Sequence, residues 1–361
     1  MTILKSVERF ARHRYLALTD RPFTGTLVST PADAVRLTPT ARLLLLRQDR
    51  IGDVLVSVPV VRALRQAYPT VQIDMLFSRT NYAAWEAVRT YVTKPWRYDK
   101  TVASAVRVVR GLRREGYDVV VDLMDNPSTN ARLAAIWSGA PVRVGIRHAR
   151  AGHYTHAVPL LDPRRVHIVE RIAQLLLAFG LDPARVPLEL EYPLTSEDRA
   201  QARRTLPRTR PLQLVVNISG SGPPRFWGEE PFVEFLTWVT KDPRFAVAVG
   251  GAPADAAHVR AIAQRAGATA LPPLPRFHEY AALVREADLF VTPDTSVLHL
   301  AAAWKIPTIA FFHQPPGAPL PWYPYRAPYR ALLGASGVGE IAVASVQDAF
   351  RALVQEHFGA T

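Results

Sequence analysis

The chain has no cysteine among its 361 residues. That excludes disulfides, a thiolate nucleophile and any cysteine metal site, and it fits a reducing cytoplasm. Lysine is scarce, confined to Lys5, Lys94, Lys100, Lys241 and Lys305, so the formal charge of +13 is carried almost wholly by arginine. A positive excess points to an anionic partner: a phosphorylated small molecule, a membrane surface or nucleic acid. The arginine fork suits phosphate, although arginine-rich composition also follows from a GC-rich genome. Long apolar runs are missing too. The stretch HLAAAWKIPTIAFF is broken by Lys305 and Pro307, so no segment reads as a membrane span. The amino terminus MTILKSVERFARHRYLAL lacks the apolar core of a signal peptide. It reads as an amphipathic helix with Ile3, Val7 and Phe10 on one side and Lys5, Arg9 and Arg12 towards the other. Such a helix can lie on anionic lipid or pack on its own domain.

Several motifs are also absent. Without G-x-x-x-x-G-K-[ST] or G-x-G-x-x-G there is no Walker or dinucleotide loop, and without G-x-S-x-G there is no hydrolase elbow. His148, His153 and His156 share a loop that has no acidic cluster, so no metal site is expected. The basic residues are scattered rather than striped, and no nucleic-acid-binding module is recognisable.

What is present is an alternation of apolar runs and helical patterns from Arg42 onward, which argues for α/β units with parallel sheets. In the first half, strands are expected at 43–47, 71–77, 117–123 and 142–146, with helices at 52–66, 82–92, 102–115, 132–138 and 166–179. In the second half, strands are expected at 212–219, 245–251, 288–293 and 307–312. The helices there fall at 231–241, 255–266, 278–287, 296–304 and 346–357. The organisation that follows is a lead-in at 1–40, a first Rossmann-like domain at 41–190 and a proline-rich linker region at 191–210. A second Rossmann-like domain occupies 211–340, and a closing helix at 341–361 can pack back on the first domain. Two doubly wound domains of this kind bind ligands at the carboxyl ends of their strands.

Three strand-to-helix junctions carry chemistry. RQDRIGD follows a run of four leucines and sets Arg50, Gly52 and Asp53 at a ligand-facing edge. Asp53 reads equally well as a helix cap and as a catalytic carboxylate. The stretch NISGSGPPRFWGEEPF offers Ser219, Ser221 and two glycines as phosphate donors, with Arg225 as a fixed charge, or else an ordinary loop anchored by Trp227. In PDTSVLHLAAAWKIP, Asp294, Thr295 and Ser296 open a helix whose free N–H groups suit an anion. His299, one turn further on, reads either as a ligand contact or as a buried histidine.

Taken together, LLLLRQDRIGDVLVSVPVVRALRQAYP, VVVDLMDNPSTNARLAAIWSGAPVRVGI, RFWGEEPF and PDTSVLHLAAAWKIPTIAFF resemble glycosyltransferase family 9, the ADP-heptose:lipopolysaccharide heptosyltransferases. The likeness runs over roughly residues 42–330. It implies a GT-B fold of two Rossmann-like domains facing a cleft, and an inverting transfer from a nucleotide-activated sugar with no cofactor and no metal. Asp53 matches the family's catalytic base, with Arg50 and Gly52 on the acceptor side. Arg225 stands where the family usually has lysine, and Ser296 where it usually has glycine. Asp294, Thr295 and His299 match the donor segment, and Asp255 is placed by position to contact a ribose. The donor implied is a nucleotide sugar such as ADP-heptose. The acceptor implied is a phosphorylated glycan or glycolipid of the cell envelope, worked on in the cytoplasm or at the inner membrane face, with no nucleic acid involved. Alternatives on the same scaffold are another sugar nucleotide, a protein acceptor, an epimerase or a degenerate sugar-nucleotide-binding protein.

Overall fold

The computed structural model describes residues 21–126, 128–149 and 151–359, so the amphipathic amino-terminal helix expected from sequence lies outside the described residues. The chain divides into two compact units. The first comprises Met1–Asp162 and Ile168–Leu188, the second Pro163–His167 and Glu189–Thr361. No described helix is long and apolar enough to cross a membrane.

In the first unit the described strands are β1 (Thr26–Leu27), β2 (Arg42–Leu46), β3 (Gln72–Ser78), β4 (Lys94–Tyr98), β5 (Val119–Asp122), β6 (Val142–Ile146) and β7 (His156–Val158). They form one parallel sheet in the order β1-β7-β6-β5-β2-β3-β4. Strand β2 is central, which explains its unbroken leucine run: Leu43 to Leu46 are all buried. Each such side chain contributes about 1.5–3 kcal/mol relative to exposure. From β2 the chain winds outward through β3 to β4, then returns to β5 on the other side of β2. The order therefore reverses between β2 and β5. Helix α1 (Ile51–Ala67) follows β2, is buried from Asp53 through Leu64 and takes Pro59 into its interior.

The second unit repeats the plan. Its strands β8 (Leu212–Asn217), β9 (Phe245–Gly250), β10 (Thr269–Ala270), β11 (Leu289–Pro293), β12 (Thr308–His313) and β13 (Tyr329–Gly334) run parallel in the order β10-β9-β8-β11-β12-β13. Counting from β8, this is the 3-2-1-4-5-6 order of dinucleotide-type folds, reversing between β8 and β11. Its core gathers Trp227, Phe232, Phe235, Phe245 and Phe311 with Phe350 of the last helix. Trp227 donates its Nε1–H to the Ile341 carbonyl at 2.8 Å, which satisfies the one polar atom it buries.

Several expectations need correction. The region expected to be a linker, 191–210, holds a helix, Ser196–Thr205, capped by Thr195 and Asp198. Arg199 and Arg203 tie that helix to Glu286, so it belongs to the second unit. The closing helix, Val343–Phe358, buries Val346, Phe350 and Leu353 in the second unit's own core. The span 82–92 is a 3-10 segment, Asn81–Ala87, and 166–179 is a short helix, Ile168–Ala173, continuing as 3-10 turns. Strands β1, β4, β7, β10 and β13 were not expected. Part of the lead-in at 1–40 is thus a sheet member, with Thr26 N–H donating to Thr155 and Val28 N–H to Ala157.

Candidate active site

Each unit concentrates polar side chains where its strand order reverses. In the first unit the centre is Arg47, the residue after β2, which is buried despite its charge. Its Nε donates to the Asp53 carbonyl at 2.9 Å and one terminal nitrogen donates to the Leu123 carbonyl at 2.8 Å, bridging the loops after β2 and β5. The guanidinium also meets two carboxylates, Asp49 at 3.4 Å and Asp53 at 3.5 Å. Asn81 donates to the Arg47 carbonyl at 2.7 Å and accepts from the Ser78 N–H at 2.8 Å, fixing the loop from the β3 side.

Asp53 uses one oxygen to accept the Arg50 N–H at 3.0 Å, so it does close the first turn of α1. That bond occupies a single lone pair and leaves the other oxygen, Oδ1, beside Arg47. Burial pushes Asp49 up to about 7, because the opposing pull of Arg47 is offset by the adjacent Asp53 carboxylate. Arg50 is exposed and Gly52 half-buried at the same turn. Behind them Asp122, at the end of β5, accepts from the Tyr154 hydroxyl at 2.7 Å and the Met124 N–H at 3.1 Å. Burial raises Asp122 to about 6 against those two bonds.

In the second unit three groups of residues meet at the β8–β11 reversal. Arg225 pairs with Asp294 at 3.2 Å and donates to the Ser221 hydroxyl at 2.9 Å, with both charged side chains about a quarter exposed. Close approach shapes this loop. A Cβ on Gly220 would lie 2.3 Å from the Arg225 carbonyl oxygen, so only glycine lets the chain fold back on itself there. Ser219 donates to Asp255 at 2.5 Å and accepts the Ala252 N–H at 2.7 Å. Its hydroxyl hydrogen is committed to Asp255, so Ser219 pins its loop to the one after β9. Asn217, buried at the end of β8, donates to Thr292 at 2.9 Å and to the Ser219 carbonyl at 3.0 Å, and lies 3.5 Å from the Thr295 hydroxyl.

Thr295 is the cap residue of the helix Ser296–Ala303, and its own hydroxyl makes no capping bond. Ser296 is half-buried in the first turn of that helix. His299 is 3% exposed, and its Nδ1 makes no hydrogen bond to the described residues. Burial, with His167 nearby, lowers it to about 3, so the ring is neutral near pH 7. It lies 6.2 Å, centre to centre, from Trp322.

The structure thus draws Arg50, Gly52 and Asp53 together in one unit. In the other it draws together Ser221, Arg225 and Asp294, Ser219 with Asp255, and Thr295 with Ser296. Sequence reasoning missed Arg47, Asn81, Asp122, Asn217 and Thr292. The available signal was position: a polar residue ending an otherwise apolar strand, as in LLLLR and VVN. Among the described residues no group of three or more His, Asp or Glu side chains is disposed to hold a metal ion.

Two Rossmann-like units of this strand order, each polar at its reversal, are the architecture of the GT-B fold. The sequence pattern of glycosyltransferase family 9 (heptosyltransferase) matches residues 105–337, and the chain belongs to that family and is a glycosyltransferase. It is 25% identical over 277 residues to lipopolysaccharide heptosyltransferase 3 of Escherichia coli, covering 72% of this chain and 80% of that protein. Its fold is similar to the crystal structure of a family 9 glycosyl transferase from Veillonella parvula DSM 2008. There the TM-score is 0.73 at 19% identity, over 90% of this chain and 99% of that one. It is also similar to E. coli heptosyltransferase WaaC with ADP-2-deoxy-2-fluoro heptose, with a TM-score of 0.65 at 19% identity over 86% and 99% of the two chains.

Proposed function

We propose that the protein is an inverting glycosyltransferase of lipopolysaccharide or related envelope-glycan assembly, moving heptose from ADP-heptose to an acceptor hydroxyl. The observation that carries this reading is the division of charge between the two units. A buried carboxylate with one oxygen uncapped sits at the first reversal, and a guanidinium ringed by hydroxyls and a helix start sits at the second. Support for the donor and the pathway comes from the relatives: an E. coli lipopolysaccharide heptosyltransferase, and a structure holding an ADP-heptose analogue.

In the proposed reaction Asp53 removes the acceptor hydroxyl proton as that oxygen attacks the anomeric carbon. The bond from the anomeric carbon to the diphosphate breaks on the opposite face, and its electron pair leaves on the phosphate oxygen. Arg225 exchanges Asp294 for the diphosphate, and Ser221, Thr295 and the free N–H groups at Ser296 complete the cradle. Asp255 is assigned to the ribose and His299 to a neutral contact behind the donor. Those fixed donors offset the leaving-group charge in place of a divalent cation. Ser296 adds a side chain where the resembled family has glycine, which favours a second reading in which the sugar nucleotide differs from ADP-heptose.

The test is transfer by the purified protein from ADP-heptose to a lipopolysaccharide core glycolipid. Asp53→Asn is expected to lower kcat about 10²–10⁴-fold with donor affinity unchanged by titration calorimetry, and EDTA is expected to leave transfer intact. Wild-type turnover in Asp53→Asn removes that residue from the base role. Stabilisation by GDP-, UDP- or dTDP-sugars in preference to ADP-heptose replaces the donor.

A further inference from the structure

The Arg47 cluster holds more acid than a single base requires. Asp49 and Asp53 approach one guanidinium, at 3.4 and 3.5 Å. Both contacts are longer than a good charge-assisted hydrogen bond of about 2.7–2.9 Å. Arg47 directs its short bonds to the carbonyls of Asp53 and Leu123, and its other terminal nitrogen makes none. It is 1% exposed, so one fixed positive charge stands against two carboxyl groups away from water. Ionising both leaves a net negative charge there, which burial penalises.

Asp49 is the group that can resolve the imbalance. Its Oδ1 is buried, and no donor among the described residues reaches it. A bare carboxylate oxygen in that place is desolvated without a compensating bond, whereas a carboxylic acid can donate to Asp53. Burial, with the charge and a hydrogen bond of Asp53, raises Asp49 to about 7 against the pull of Arg47. Asp122 faces Arg47 from the end of β5, but it is 2% exposed and committed to the Tyr154 hydroxyl and the Met124 N–H. Asn81 and Ser78, packed from the β3 side, are uncharged, and Arg50 is exposed. Within the cluster Asp49 combines contact with Asp53 and an open edge, for a quarter of its side chain meets solvent.

We propose that Asp49 is the proton partner of Asp53, a positioning residue that shares one proton with the base and relays the proton taken from the acceptor. The inference rests on the transferase reading above and adds a destination for that proton. The acceptor O–H bond breaks as its oxygen bonds the anomeric carbon, and the proton arrives on Asp53. The bond from the anomeric carbon to the diphosphate oxygen breaks, and its electron pair leaves with the diphosphate. The proton then crosses from Asp53 to ionised Asp49, which passes it to water at its open edge and restores both carboxylates. When Asp49 already holds a proton it donates to Asp53 instead, which weakens the base and blocks the relay. Turnover is therefore highest where Asp49 is ionised, and it falls as pH drops through about 7.

The test is the pH dependence of kcat/KM for a lipopolysaccharide core glycolipid, with ADP-heptose as donor and the full chain. The wild type should gain about tenfold between pH 6 and pH 8 as Asp49 ionises. Asp49→Asn, which keeps the size and polarity of the side chain, should erase that gain and fall about tenfold below the wild type at pH 8. Asp49→Glu should restore a pH-dependent rise. A merely structural role would lower the rate equally at both pH values. Wild-type pH dependence in Asp49→Asn, or no rise in the wild type, overturns the relay. Carbon-13 spectra of protein labelled at the aspartate carboxyls follow the same proton without turnover. A titration step near pH 7 should vanish in Asp49→Asn and move to lower pH in Asp53→Asn. A step that Asp53→Asn leaves in place overturns the sharing. Failure to bind any sugar nucleotide in calorimetry would refute the transferase reading instead, while a step lost and shifted in those two variants would still support the shared proton.

Discussion

Asp49 and Asp53 share one buried guanidinium, and the effect of that crowding can be measured by replacing Asp49 with asparagine. In the folded chain Asp49 stands at about 7 against an ordinary 3.8, chiefly through burial. At about 1.4 kcal/mol per pH unit this amounts to about 4 kcal/mol of bias towards the neutral acid. The side chain is one-quarter exposed, so solvent screening reduces the figure to about 2 kcal/mol. The sign follows from proton binding. Below pH 4 both the folded and unfolded chains hold the proton and stability is greatest. Between pH 4 and 7 the unfolded chain releases it while the folded chain keeps it, so stability falls as pH rises. Asparagine keeps a polar group of the same size without a proton to lose, and Arg47 retains Asp53. Asp49→Asn should therefore match the wild type at pH 4.5 and exceed it at pH 8 by about 2 kcal/mol, or roughly 4–8 °C in the melting of this unit. Thermal unfolding followed by circular dichroism at the two pH values decides the matter. A variant destabilised equally at both would mean that the Arg47–Asp49 attraction outweighs the crowding.

Removing Arg47 should be far more damaging than removing either carboxylate. Arg47→Ala is expected to cost about 3–5 kcal/mol by chemical denaturation, since it leaves two acidic groups and two loop carbonyls without their shared donor. Arg225→Ala should weaken sugar-nucleotide binding about tenfold or more in calorimetry, and Arg225→Lys should recover part of it as a point charge without the fork. Unchanged affinity in Arg225→Ala would remove that contact. Trp227→Ala should lose about 3–5 kcal/mol, because its ring packs on Phe232 and Phe311 and its N–H serves Ile341. Loss below 1 kcal/mol would show that the site collapses around the gap.

The central strands were readable because burial on both faces leaves an apolar run that nothing else produces, as in Leu43–Leu46 and Leu214–Val216. The helix starts were readable where an acid or hydroxyl opens an amphipathic stretch, as at Asp53 and Ser296. The edges were not. Strand β4 is KPWRY, with a proline and two basic residues, because it pairs on one side only. Strand β13 is half-exposed and hidden behind prolines, and β1 and β7 are too short to show a period. At the candidate site the residue types were legible and their commitments were not. Composition cannot tell that Ser219 gives its hydrogen to Asp255, that Arg225 pairs with Asp294, or that Arg47 is buried, since each depends on loops brought together from distant sequence.

Strand β1 has a consequence for anyone shortening this protein. A chain begun where the resemblance to its family begins would lack Thr26 and Leu27, and the ladder now closed on His156 and Ala157 would stand open. Bare amide groups on a rim of that kind recruit other chains. Trimming to the family's apparent outline would therefore invite clumping, and the short segment that carries β1 acts as a hem that keeps the fabric from fraying.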